Sequence, residues 1–204
     1  MKVGFFGGSF DPIHFGHLRM AKELARLHHL SEVWFCPARH NPHKLERFPT
    51  SIEHRLQMVK LAIEDEPCFV LLDCEAKRVG PSYTVDTLKE LVEKEQFSKT
   101  PRKIYLILSD ETVPGFFHWK QPEEIANLVP LLIGSRFQTS QHLKGLEGSP
   151  FLCEAINKGW SPTVPFNISS SEIRQKLFEG QDCQKYVPKK VLDYIFQNKL
   201  YLAT

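Results

Sequence analysis

Two histidines three positions apart, His14 and His17, stand in the stretch GGSFDPIHFGH over residues 7–17, behind two glycines and a Ser-Phe-Asp-Pro turn. Residues 3–6 ahead of them form a short apolar run bounded by glycines, the mark of a strand covered on both faces. Beyond them Leu18, Ala21, Leu24, Ala25 and His28 recur at helical spacing. A strand that ends in glycines and leads into a helix lets a ligand approach the backbone, and the helix start offers N–H groups and a positive dipole end to an anion. His14 and His17 share one face of that start, with Gly16 keeping the turn thin. Two imidazoles placed so can donate hydrogen bonds to phosphate oxygens and stabilise charge as it builds. The stretch fits neither G-x-x-x-x-G-K-[ST] nor G-x-G-x-x-G. Two other chemistries compete for the histidines. A zinc pair would want a third His, Cys or carboxylate ligand patterned nearby, and none is. A core histidine accounts for one imidazole, but not for two flanking a glycine.

A second anion site is written in ISSSEIR. Ser169 and Glu172 form an S-x-x-E capping box that fixes a helix start at 169/170. Ser170 and Ser171 then lie in the first turn and Arg174 one turn on, which assembles hydroxyls, free amides and a guanidinium fork. Capping explains Ser169 and Glu172. It leaves Arg174 unexplained, because a cation near a helix N-terminus opposes the dipole unless an anion sits there. In PSYTVDT, Ser82, Thr84 and Asp86 fall at another helix start, where capping is the simple reading.

The elements that must carry these groups alternate between strand and helix. Residues 32–36, 69–72, 103–108 and 129–133 read as further buried strands. Helices follow from Ile52, Leu56, Val59 and Ile63, with Ser51 as cap, and from Val85, Leu88, Leu91 and Val92. Residues 37–50 form a loop with three prolines and a basic cluster, and 138–162 show no sustained period. Two helices close the chain, at about 170–179 and 188–198, the second with Pro188 in its first turn. This order argues for an α/β fold, a Rossmann-like doubly wound parallel sheet with helices on both faces and a C-terminal helical segment. Ligands bind such sheets at the carboxyl ends of the strands. The rim there comprises the glycine loop, the basic loop, Ser109-Asp110 and the loop after residue 133.

At 204 residues the chain is read as a single domain, 1–204, helical from about residue 169 onward, long enough to fold without disulfides or metal. A net charge of +2 argues for neither a nucleic-acid nor a membrane partner. Five scattered cysteines without C-x-x-C fit reduced thiols in a cytoplasmic protein. No stretch approaches the ~20 apolar residues of a membrane span.

GSFDPIHFGH closely resembles the signature of the nucleotidyltransferases with an H-x-G-H motif. NPHK (41–44), PSYTVDT (81–87), Asp110 with Trp119 beyond it, FNISSSEIR (166–174) and YVPKKVLDYI (186–195) extend the likeness along nearly the whole chain. Together they are similar to the bacterial nicotinate-nucleotide adenylyltransferases. The resemblance implies transfer of AMP from ATP to nicotinate mononucleotide, giving deamido-NAD and pyrophosphate in NAD biosynthesis. It implies His14, His17, Lys44 and Arg174 as the catalytic groups. ATP would be bound by Gly7, Gly8, Ser9, Phe10, His14, His17, Asp110, Ile168, Ser169, Ser170 and Arg174, with Asp110 on the ribose hydroxyls. The pyridine nucleotide would be bound by Ser9, Lys44, Thr84, Trp119 and Lys120, with Trp119 stacked on the ring. No protein metal site is implied, and Mg²⁺ would be held chiefly by the substrate phosphates; a homo-oligomer is compatible. The alternatives are nicotinamide mononucleotide as acceptor, or a nucleotide-binding regulator of the same fold with weak turnover. Ser109-Asp110, with Leu108 before it, stands where the family usually has Gly-x-Asp, and the Ser109 hydroxymethyl is expected to crowd a ligand. Phe137-Gln138 replaces the usual Pro-Gly after Arg136, so no role is carried onto Arg136.

Overall fold

The computed structural model describes residues 1–39, 50–135, 148–164 and 166–203. Six strands, β1 (Lys2–Gly8), β2 (Glu32–Pro37), β3 (Phe69–Leu71), β4 (Lys103–Ser109), β5 (Leu131–Ser135) and β6 (Trp160–Pro162), form one sheet in the order β3-β2-β1-β4-β5-β6. Every neighbouring pair is parallel. The strand order reverses between β1 and β4, so the doubly wound sheet read from the sequence is the one observed, with its ligand crevice at the carboxyl ends of those two strands.

Alternation along the strands divides the apolar residues between two layers. Phe6, Phe35, Ile107 and Leu132 meet α1 (Phe15–His28), α2 (Ile52–Ile63), α8 (Ser170–Phe178) and α9 (Lys189–Gln197) through Leu24, Met58, Ile173 and Val191. Phe5, Trp34, Leu106 and Ile133 face the other way, onto α4 (Thr84–Gln96), α6 (Pro122–Leu128) and α7 (Pro150–Gly159) through Leu88, Ile125 and Leu152. The short helices α3 (Cys74–Lys77) and α5 (Val113–Phe116) complete the second layer. Among the described residues no helix is long and apolar enough to cross a membrane.

Three sequence expectations need correction. The fifth strand begins at Leu131 rather than 129, because the Val129 N–H still donates to Ile125 O at 3.0 Å and so terminates α6. Within 138–162 the chain builds α7 and β6; Ser149 caps α7 by accepting from Leu152 N at 3.4 Å, and Pro150 opens it. Pro188 is the N-cap of α9 rather than a residue of its first turn.

Candidate active site

The strand-to-helix turn after β1 is built from its own histidines. His14 is the N-cap of α1, and its Nδ1 accepts from Gly16 N at 3.1 Å, while His17 Nδ1 accepts from His14 N at 3.3 Å. The rings lie 3.8 Å apart between centroids. With both Nδ1 atoms engaged as acceptors, each neutral ring carries its proton on Nε2, as a hydrogen-bond donor. Gly16 is required here: a Cβ would stand 2.8 Å from His14 Cε1 and 2.9 Å from His14 Nδ1.

Two adjoining cavities open over this turn. The smaller, about 160 Å³, is lined by Gly7, Gly8, Ser9 and Phe10 on one side and by Ser82, Tyr83, Thr84 and Lys120 on the other. The larger, about 450 Å³, is lined by His14, Gly16, Asp110, Phe166, Ile168, Ser169 and Ser170, among others. His17, Met20, Ser109, Thr112, Trp119 and Ser170 border both, so the cavities are two halves of one cleft with His17 and Ser170 at the junction. The cleft lies at the carboxyl ends of β1, β4 and β5, where the reversal of strand order places it.

Of the residues singled out from the sequence, His14, His17, Asp110, Ile168, Ser169 and Ser170 meet in the larger half, and Gly7, Gly8, Ser9, Phe10, Thr84 and Lys120 in the smaller; Trp119 belongs to both. Lys44 lies outside the described residues. Arg174 lines neither half. Its guanidinium donates to Asp11 O at 2.7 Å and Ser171 Oγ at 3.1 Å, so a backbone carbonyl supplies negative potential beside it. The capping box on Ser169 and Glu172 is present as read. Asp110 is buried, its carboxylate accepting from Ser135 Oγ at 3.0 Å and Glu111 N at 2.9 Å. Ser109 Oγ lies 2.8 Å from Thr112 Oγ1, which ties the hydroxymethyl expected to crowd a ligand into the wall that both halves share.

The capping read into PSYTVDT is not what those residues do. Tyr83 is the N-cap of α4 with no side-chain cap bond, and the Ser82 hydroxyl accepts instead from Arg39 N at 3.0 Å. Thr84 opens the helix against the smaller half. Beside it the Lys120 ammonium pairs with Asp86 at 3.0 Å and lies 4.6 Å from the Tyr83 ring centroid. Trp119 packs edge-on against Phe116 at 5.2 Å.

Sequence reasoning missed several supports. Glu75, 3% exposed, borders the smaller half and accepts from Thr87 Oγ1 at 2.8 Å. Burial pushes its carboxyl above the ordinary value, against the opposing pull of the Thr87 hydrogen bond and the Arg78 charge. Arg55, 2% exposed, donates to the carbonyls of Thr50, Ser9, Ala38 and Arg39 at 2.9, 2.8, 2.7 and 3.1 Å. It thereby binds the glycine loop to the chain on either side of residues 40–49. Burial lowers its pKa, and the Asp11 charge opposes that effect. No local motif marks either residue: Thr87 stands 12 positions from Glu75, and Ser9, Ala38 and Arg39 stand 46, 17 and 16 positions from Arg55.

Residues 5–176 match the family model described as cytidylyltransferase-like. "Probable nicotinate-nucleotide adenylyltransferase" of Dictyoglomus thermophilum is 36% identical over 205 residues, covering 99% of this chain and 100% of that protein. The protein of the same name from Geobacillus kaustophilus is 36% identical over 203 residues, covering 99% of this chain and 87% of its own. In fold the chain is similar to Plasmodium falciparum nicotinic acid mononucleotide adenylyltransferase complexed with NaAD, with a TM-score of 0.73 at 22% identity, over 98% of this chain and 97% of that one.

Proposed function

The chain belongs to the cytidylyltransferase-like family, beside the nicotinate-nucleotide adenylyltransferases that it matches end to end, and from that premise we propose that it transfers AMP from ATP to nicotinate mononucleotide. The observation that carries this reading is the two-part cleft whose halves meet at His17 and Ser170. The larger half takes ATP and the smaller takes the pyridine nucleotide, which brings the acceptor phosphate and the α-phosphorus to the shared wall. An oxygen of the mononucleotide phosphate attacks the α-phosphorus in line. The bond to the bridging oxygen breaks, and pyrophosphate leaves with the electron pair. A phosphate monoester at neutral pH is already a nucleophile, so the protein's work is positioning and charge stabilisation.

His14 and His17 present Nε2–H donors to the triphosphate, and the start of α8 adds helix-terminal amides. Lys44 supplies a further cation, and Arg174 acts from behind the α8 turn. In the smaller half the α4 N-terminus at Thr84 faces the nicotinate carboxylate, and Trp119 stacks on the ring. The Asp86–Lys120 pair suits this assignment, because the ammonium offsets a carboxylate that would otherwise repel an acid at that helix start.

Mg²⁺ fits the larger half as an ion that arrives with the nucleotide. Among the described residues no three His, Cys, Asp or Glu side chains group as a cage, and both Asp110 oxygens already accept hydrogen bonds. Such a donor set suits a cation held by phosphates and waters, with Asp110 and Glu111 nearby. Bound there, it neutralises phosphate charge.

The test is pyrophosphate release by purified protein with ATP, Mg²⁺ and either nicotinate or nicotinamide mononucleotide. Release with the acid form, well above that with the amide, is expected. ATP binding without pyrophosphate release on adding nicotinate mononucleotide would refute the proposal.

A further inference from the structure

Asp11, 3% exposed in the turn that leads to His14, is where three distant parts of the chain converge. Thr50 N donates to its Oδ2 at 3.2 Å, the Tyr201 hydroxyl donates to its Oδ1, and Arg174 donates to its carbonyl at 2.7 Å. The next carbonyl, Pro12 O, accepts from Ser170 Oγ at 2.9 Å. The Thr50 side chain hydrogen-bonds to the same phenol oxygen, and Tyr201 packs on the apolar layer that contains α1 and α8. Burial, with the Asp11 charge beside it, holds the phenol far above the ordinary tyrosine range, so it stays a donor at any working pH.

The turn needs outside support. Phe10 has a φ of 48°, in the left-handed region that a bulky side chain adopts only when its surroundings enforce it. Its ring lies edge-on to His17 at 5.2 Å. A shift of Asp11 is thus transmitted to His17 through Phe10 and to Ser170 through Pro12, the two residues at the junction of the cleft.

We propose that Tyr201 is a positioning residue for adenylyl transfer: its hydroxyl fixes the Asp11 carboxylate, and with it the turn that presents His14 and His17 to the nucleotide. The inference rests on the adenylyltransferase reading. Tyr201→Phe keeps the ring and removes only the oxygen. It is expected to lower kcat about tenfold, since even sub-ångström misplacement of reacting groups is costly, while KM for both substrates stays within about twofold. Asp11→Asn should cause a similar loss. Because the effect runs through Asp11, adding Tyr201→Phe to that variant should lower kcat by less than about a further twofold. Assays are run well below each variant's melting temperature.

A turnover-independent readout accompanies them. The imidazole NMR signals of His14 and His17 should move in Tyr201→Phe, while those of His28, which bonds to Ser161 on β6, stay in place. Unchanged kcat in Tyr201→Phe, fully multiplicative losses in the double variant, or unmoved His14 and His17 signals would each overturn the proposal. If Tyr201→Phe does not fold, an unchanged kcat in folded Asp11→Asn overturns it equally. If the wild-type protein releases no pyrophosphate, the adenylyltransferase reading fails, and the ring signals still decide whether Tyr201 positions the turn.

Discussion

Replacing Gly16 with alanine separates the stability of the glycine turn from its chemistry. The new Cβ would stand 2.8 Å from His14 Cε1, 2.9 Å from His14 Nδ1 and 3.2 Å from Phe166 Cδ1. Ordinary contact distances require the His14 ring to retreat by about half an ångström or more. His14 is 5% exposed and stacked on His17 at 3.8 Å, so the pair moves together. Loss of the bond from Gly16 N to His14 Nδ1 costs ~1 kcal/mol, in the range of other N-caps. Removing a glycine from the first turn of α1 returns up to ~1 kcal/mol, so net stability changes little. Turnover responds quite differently, because a misplacement of this order costs roughly 10–100-fold in rate. Pyrophosphate release with ATP, Mg²⁺ and nicotinate mononucleotide, beside thermal unfolding of the same samples, reads both effects. A folded variant with kcat within about twofold of wild type would refute the role given to the imidazole pair.

Other perturbations test other parts of the cleft. His17→Ala should lower kcat by ~10²–10³ with the fold intact, the usual loss for a donor aimed at developing charge; wild-type turnover would contradict this. Trp119→Ala should raise KM for nicotinate mononucleotide roughly three- to tenfold through lost stacking, and an unchanged KM would exclude the contact. Arg55→Met strips the donor from four loop carbonyls, at a cost of ~3–5 kcal/mol in denaturant unfolding; a loss under ~1 kcal/mol would show that the staple is dispensable. Glu75 has its folded pKa above the ordinary 4.5, so the native state holds this proton more tightly than the unfolded chain. Its contribution to stability is greatest below pH 4.5, declines as pH rises through the folded pKa, and levels off above it. The stability of wild type relative to Glu75→Gln should therefore fall across that interval in pH-dependent melts, and a flat difference would contradict the shift.

Local structure was legible from the residues alone. The histidine turn and the Ser169–Glu172 box are both short-range constructions, set by residues within three positions of each other. Strand and helix alternation likewise exposed the doubly wound sheet, because both layers bury one apolar face. Long-range dependence was hidden. Arg174 pointed to an anion by position, yet its guanidinium donates to the Asp11 carbonyl, 163 residues away in sequence. Arg55 and Tyr201 carry no local mark, and Asp11 shows only as part of the Ser-Phe-Asp-Pro turn; all three gain their roles only when the chain closes. The α7 signal was available in Ser149-Pro150 with Leu152 and Ile156 one turn apart, but a single turn of apolar spacing is hard to tell from a loop. At Ser82 the hydroxyl serves Arg39 rather than α4, a choice made by tertiary structure over local propensity.

The central claim is that the two halves of the cleft bring nicotinate mononucleotide and the α-phosphate of ATP together at His17. Its most direct test is to follow ATP labelled on the α-phosphate in the presence of Mg²⁺ and nicotinate mononucleotide. Label is expected to pass into the dinucleotide product, one equivalent for each pyrophosphate released, and in His17→Ala both label transfer and pyrophosphate release should fall together by ~10²–10³. Label collecting in free AMP, or remaining in ATP while both substrates are bound, would contradict it.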